Sequence, residues 1–319
     1  MRQLSIYLLL ILGISVSSAA GQRPIAIASI FPVADLAQQV GGEHWEVITL
    51  IPAGASAHTY EPTPEQVRSF AQARLFFQIG LGLEYWLEKL VRAAKSSRLL
   101  TVDLSAGVET IPVPSPTLPP RIPPRASHEH GHSHHGAAKD GDSRGHAPEG
   151  PDAHYWLDPL RMQQVITSLE RGFSELDPQH ASQYAERATR VRTELETLHQ
   201  EIVQRTQGLR NRRFIGLHAA WTYFALRYSL VQAAVVEPFP GREPSPRYLA
   251  ELAQLMRRED VKAIVIEPQL TSTAAQALAR ETGARVAMLD PYGGQGIPGR
   301  ESYLDLMRFN VAELVKLLE

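Results

Sequence analysis

The chain has 319 residues, of which 44% are hydrophobic and 21% charged, and its formal net charge is −2 at neutral pH. That length can bury two cores, and a charge so close to zero gives no basis for binding nucleic acid or an anionic membrane surface. Cysteine is absent, which excludes disulfides, thiolate metal sites and a lipid-modified N-terminal cysteine, so any metal site must use His, Asp, Glu or water.

Residues 1–20 read as a secretory signal peptide: Arg2, an apolar run over 4–16, then Ser17, Ser18, Ala19 and Ala20, with cleavage expected near Ala20. The run is short for a membrane span and small residues follow it. The mature chain is therefore expected to be exported to the periplasm. Residues 24–30 are apolar and β-branched and predict a buried strand, followed by a helix over 33–40 that Gly41 and Gly42 stop. A strand over 47–51 leads into a loop over 52–64, rich in turn residues and carrying His58. A helix over 65–73, a strand over 75–79, a helix over 84–94 and a strand over 99–104 follow. Strands alternating with helices predict βαβ units and a parallel sheet.

Beyond residue 108 the composition changes. Prolines 112, 114, 116, 119, 120, 123 and 124 lead into the stretch HEHGHSHHGAAKDGDSRGH, which spans 128–146 and holds six of the twelve histidines. The proline-rich part is expected to be extended and stiff. The His-rich part has too little apolar surface to order itself by burial and predicts a disordered surface loop. His128, His130, His132, His134, His135 and His146 are candidate ligands of a weaker, secondary metal site, since neutral imidazole suits zinc, copper and nickel. A solvated polar linker is the alternative. The whole of 109–152 is too long for an ordinary loop and is read as an insertion, functional or disordered.

Order is expected to resume at residues 153–159, where Asp158 suits a helix N-cap and Pro159 the first helical position. Asp177 and Pro178 repeat that signal. From there to about residue 207 the apolar positions 184, 188, 191, 195, 198 and 202 keep helical spacing until Gly208. Such a helix is roughly 45 Å long, about the size of a domain. A second set follows, with strands over 213–217, 230–236, 261–266 and 285–289 and helices over 221–228, 246–257, 273–282 and 303–318. The expected fold class is α/β, two four-stranded halves on either side of one long helix. The expected lobes are 21–176 and 209–319, with the linking helix over 177–208.

Chemistry gathers where strands end. His58 follows the second strand, His154 follows the fourth strand and the insertion, His218 follows the fifth, and Asp290 ends the eighth. Ligands in open parallel sheets bind outside the carboxyl ends of strands, and three imidazoles with a carboxylate make a tetrahedral set that suits zinc. Taken singly, each His reads as a packed or surface residue, and Asp290 before Pro291 as the start of a turn. Glu237 and Glu267 end strands before prolines; they suit holding an imidazole N–H, orienting a turn or contacting a partner. Trp156, Trp221 and Tyr223 read as core packing, and His44, His180 and His199 as surface residues.

These segments resemble the metal-specific solute-binding proteins of ABC importers, the zinc and manganese branch. The resemblance lies in residues 29–32 (SIFP), 57–64 (AHTYEPTP), 152–159 (DAHYWLDP), 217–225 (LHAAWTYFA), 243–246 (EPSP) and 289–293 (LDPYG), and it covers nearly all of the mature chain in the family's order. It implies two (β/α)₄ lobes joined by a rigid helix with small lobe motion. It also implies His58, His154, His218 and Asp290 as metal ligands, with Glu61 or water as alternatives to Asp290. Histidine rather than Glu at position 218, together with the His-rich insertion, resembles the zinc-type members. Ala57 stands where the family usually has Pro, which is expected to loosen that loop.

The expected function is that of a monomeric, non-enzymatic carrier that binds Zn²⁺ and passes it to a membrane permease, without nucleic acid. Its affinity is expected to fall below about pH 6, because ligand imidazoles must be neutral. A secreted zinc hydrolase is the alternative from another class, but its H-E-x-x-H signature belongs on a helix, and the match here, residues 128–132 (HEHGH), falls in the Gly- and His-rich stretch with no helical pattern around it. A manganese or iron carrier would differ only in its ion.

Overall fold

The computed structural model describes residues 23–94, 98–113 and 150–319. The expected signal peptide and His128, His130, His132, His134, His135 and His146 lie outside the described residues. The first half runs β1 (Ile25–Ala28), α1 (Phe31–Gly41), β2 (Glu46–Thr49), α2 (Pro64–Gln72), β3 (Leu75–Gln78), α3 (Leu87–Ala94), β4 (Leu100–Asp103) and α4 (Pro159–Leu176). Its strands form one parallel sheet in the order β2-β1-β3-β4. After α5 (Ala181–Thr206) the second half runs β5 (Arg213–Gly216), α6 (Thr222–Arg227), β6 (Val231–Val235), α7 (Pro246–Arg258), β7 (Ala263–Ile266), α8 (Thr273–Thr282), β8 (Arg285–Met288) and α9 (Tyr303–Leu318). Its sheet repeats the topology, in the order β6-β5-β7-β8, again parallel. The expected α/β architecture of two four-stranded halves and one long helix is borne out.

Local chemistry explains the boundaries. The Thr63 hydroxyl accepts from Gln66 N while the Gln66 side chain accepts from Thr63 N, a reciprocal cap that starts α2 with Pro64 in its first turn. Asp158 accepts from Leu160 N at 3.0 Å and starts α4 ahead of Pro159. Ser245 and Ser302 cap α7 and α9 in the same way. The long helix is shorter than expected at its start. Pro178–His180 form a 3₁₀ turn, and Asp177 Oδ2 faces His180 Nδ1 at 2.7 Å and accepts from Tyr184 Oη at 2.5 Å, closing that turn ahead of α5. At 1.5 Å per residue α5 is about 39 Å long.

Tyr184, Ala188, Val191, Leu195, Leu198 and Ile202 form the buried stripe of α5, which packs against α1, α4 and α9. The main core is continuous from the first sheet through this stripe to Phe214, Phe224, Val265, Tyr303 and Met307 of the second half. A separate small core, with Leu252, Met256 and Leu278, lies between the second sheet and α7 and α8.

The ends of the insertion belong to the fold. Asp152 N donates to Ile111 O at 2.7 Å and Val113 N to Gly150 O at 3.1 Å, around an antiparallel bridge between Pro112 and Pro151. Among the described residues no helix is long and apolar enough to cross a membrane.

Candidate metal centre

Three strand ends deliver three imidazoles to one point. His58 sits in the loop between β2 and α2, His154 opens a 3₁₀ turn (His154–Leu157) ahead of α4, and His218 lies two residues past β5. His154 Nε2 is 3.0 Å from His58 Nε2 and 3.3 Å from His218 Nε2. The three ligand atoms all lie within 4.8 Å of one another. A tetrahedral zinc ion with Zn–N bonds near 2.0–2.1 Å places its ligand nitrogens about 3.3 Å apart, so the set is close to closed around an ion. His154 and His218 are buried, and His58 keeps partial exposure.

The far side of two rings is held by carboxylates. His154 Nδ1 lies 2.6 Å from Asp152 Oδ1, which also accepts from the His154 backbone N–H at 2.9 Å. His218 Nδ1 lies 2.8 Å from Glu267 Oε2. A carboxylate at Nδ1 keeps the proton there and turns an unprotonated Nε2 towards the shared point. Burial, then the neighbouring His154 and His218, push the His58 pKa well below that of a free imidazole, so this ring is neutral and ready to ligate. Burial works in the same direction on His218, but Glu267, Asp152 and Glu237 together outweigh it and raise its pKa.

Of the two glutamates read as imidazole partners or turn residues, Glu267 takes the first part and Glu237 the second, accepting from Gly241 N at 3.2 Å. Asp152 was not singled out from sequence. Its signal is the D-x-H spacing, which lets one carboxylate reach both the backbone N–H and Nδ1 of the residue two positions on. Ala57, expected to loosen the first loop, is fully buried. Trp156, Trp221 and Tyr223 are fully buried, as expected of core residues. His44 and His180 are partly exposed, as expected, and their rings stack 3.8 Å apart.

Asp290 is not a member of the three-residue group. Its Oδ2 pairs with Arg300 Nη1 at 2.9 Å, and its Oδ1 accepts from Gln269 Nε2, Tyr292 N and Gly293 N. Both oxygens are therefore engaged by this half's own turn. Glu61 is exposed and also outside the group.

The sequence profile of the ZnuA family, described as zinc-uptake complex component A, periplasmic, matches residues 27–317. A crystal structure of ZnuA is 27% identical, superposes with a TM-score of 0.76, and covers 93% of this chain and all of that one. A protein of Treponema pallidum (strain Nichols) named as metal-binding is 27% identical over 284 residues, which are 88% of this chain and 83% of that protein. The zinc-binding protein AdcA of Streptococcus pyogenes serotype M3 (strain ATCC BAA-595 / MGAS315) is 24% identical over 295 residues. That match takes in 90% of this chain but 55% of AdcA, so this chain spans about half of that relative's length. The chain accordingly belongs to the ZnuA family of zinc-uptake component A proteins, the metal-binding solute-binding proteins of ABC importers.

Proposed function

We propose that this protein captures Zn²⁺ in the periplasm with high affinity and delivers it, as a monomer, to the membrane permease of an ABC importer. The observation that carries the proposal is the convergence of three Nε2 atoms, two of them backed by carboxylates. His58, His154 and His218 are the proposed ligands. The fourth position is assigned to solvent, because Asp290 would have to leave Arg300 to fill it. The proposed lobes are 21–176 and 209–319 with the linking helix 177–208, and no part of the function calls on nucleic acid. The histidines at 128, 130, 132, 134, 135 and 146 are proposed as a weaker collecting site.

Zinc is favoured over manganese by donor chemistry. An all-imidazole set suits zinc, whereas manganese stands at the weak end of the divalent series and prefers oxygen donors. The hydrolase reading needs a free base aimed at a metal-bound water, and the two carboxylates beside the ligands, Asp152 and Glu267, stand at Nδ1 of their rings, on the side away from the shared point.

Calorimetric titration of the purified chain tests the proposal. Replacing His58, His154 or His218 by Ala is expected to abolish the tight zinc step, and equal zinc and manganese in competition are expected to load zinc. A tight step unchanged in all three variants would refute the ligand assignment.

A further inference from the structure

Tyr223 stands on α6, in the second half of the chain, yet its hydroxyl lies among residues of the first half. It donates to Asp152 O at 2.7 Å and accepts from Ile111 N at 3.1 Å. Ile111 and Asp152 are partners in the antiparallel pair that closes the base of the insertion, where Asp152 N donates to Ile111 O. One phenol oxygen thus bridges both strands of that base. The ring is held from one side by the Arg161 guanidinium, 4.7 Å from its centre, and Arg161 Nε in turn donates to Glu109 O. Tyr223 is fully buried, so its hydroxyl has no solvent to fall back on.

The same Asp152 grips His154 through Oδ1. Its backbone is fixed by Tyr223 and Ile111, and its carboxylate fixes a ligand ring. We infer that Tyr223 is a positioning residue for the metal centre: it clasps the base of the insertion to the second half and thereby sets the angle at which Asp152 holds His154. This rests on the zinc-capture reading and adds a residue to it that touches no ion. It also divides the insertion. Residues 109–113 and 150–152, which flank positions 114–149 in the sequence, are part of the frame of the site.

The test uses zinc in competition with a chelating indicator, together with proton and nitrogen spectra of histidine-labelled protein. In the wild-type chain the His154 Nδ1–H, bonded to a carboxylate, is expected as a downfield, slowly exchanging signal. Tyr223→Phe keeps the ring and removes the clasp. It is expected to weaken zinc binding about tenfold, the low end for loss of a group that orients a ligand, and to speed exchange of that signal. Asp152→Asn is expected to weaken zinc by at least as much, and Tyr223→Phe is expected to add little in the Asp152→Asn background, since both act through one carboxylate. Excising 114–149 is expected to remove the weaker sites and leave the affinity of the tight step within about twofold, and excising 110–151 to reproduce the Tyr223→Phe loss at that step. Wild-type binding through the three histidines, with Tyr223→Phe equally tight and its His154 signal unchanged, overturns this inference alone. Full additivity of the two substitutions overturns it as well. Failure of the wild-type chain to bind zinc through those histidines overturns the reading beneath it.

Discussion

An imidazole can carry its proton on either nitrogen, and at the residue scale the centre is a device for deciding which. Asp152 and Glu267, 2.6 Å and 2.8 Å from Nδ1 of His154 and His218, favour the proton on that nitrogen. Glu267→Gln keeps an acceptor but removes the charge that favours Nδ1–H, so zinc affinity is expected to fall about tenfold; chelator competition measures it, and an unchanged affinity would show that the contact does nothing for the metal. At this scale the sequence was legible where strand ends line up, as for His58, His154 and His218. It was less legible where side chains choose among partners. Nothing in the order of residues says that Asp290 faces Arg300, ten positions on, and Gln269 from another strand end. Asp152 went unremarked because its role depends on the bend of the chain at Ala153.

At the scale of elements, the helices and strands follow from period and capping chemistry, and most were readable. The apolar stripe of α5 and the caps at Thr63 and Asp158 are local signals. The 3₁₀ turn before α5 was not foreseen, since Asp177 and Pro178 start a helix as readily as they break one. The ordered base of the insertion was missed because pairing between residues about forty positions apart leaves no local mark. Leu195, fully buried on α5, tests the structural role of that helix. Leu195→Ala is expected to cost about 3 kcal/mol by loss of burial and a residual cavity. Urea unfolding reads the loss, and zinc affinity of the folded variant is expected to stay within about twofold. A loss below about 1 kcal/mol would mean that the stripe is not close-packed.

For the whole molecule, pH gathers these effects. His218 has a raised pKa and His58 a lowered one. Protons therefore compete with zinc first at His218, at a pH above the usual imidazole value of about 6.5, and at His58 only well below it. Zinc affinity is expected to fall from near neutrality downward and to steepen as His58 is reached; competition titrations between about pH 5 and 8 would show this, and a flat profile would contradict imidazole ligation. Stability of the metal-free chain divides by sign. The raised His218 contributes stability below its unfolded value that is lost as pH rises through its folded value. The lowered His58 contributes stability above its unfolded value that is lost as pH falls towards its folded value.

The repeated α/β pattern suggested two halves, each with its own centre of gravity. In fact the first sheet, the long helix and the inner side of the second half share one apolar interior, a long-range property that period and composition do not encode. Trp156, beside His154, reaches Pro291 O with its indole N–H and accepts from Tyr303 Oη through its carbonyl, stitching that interior across. Prising the halves apart would flood it with water. His58 is the most accessible of the three rings and the one borne on a turn-rich segment. On the proposed function, an acceptor reaches the ion by peeling back a single finger, with the palm of the hand left shut.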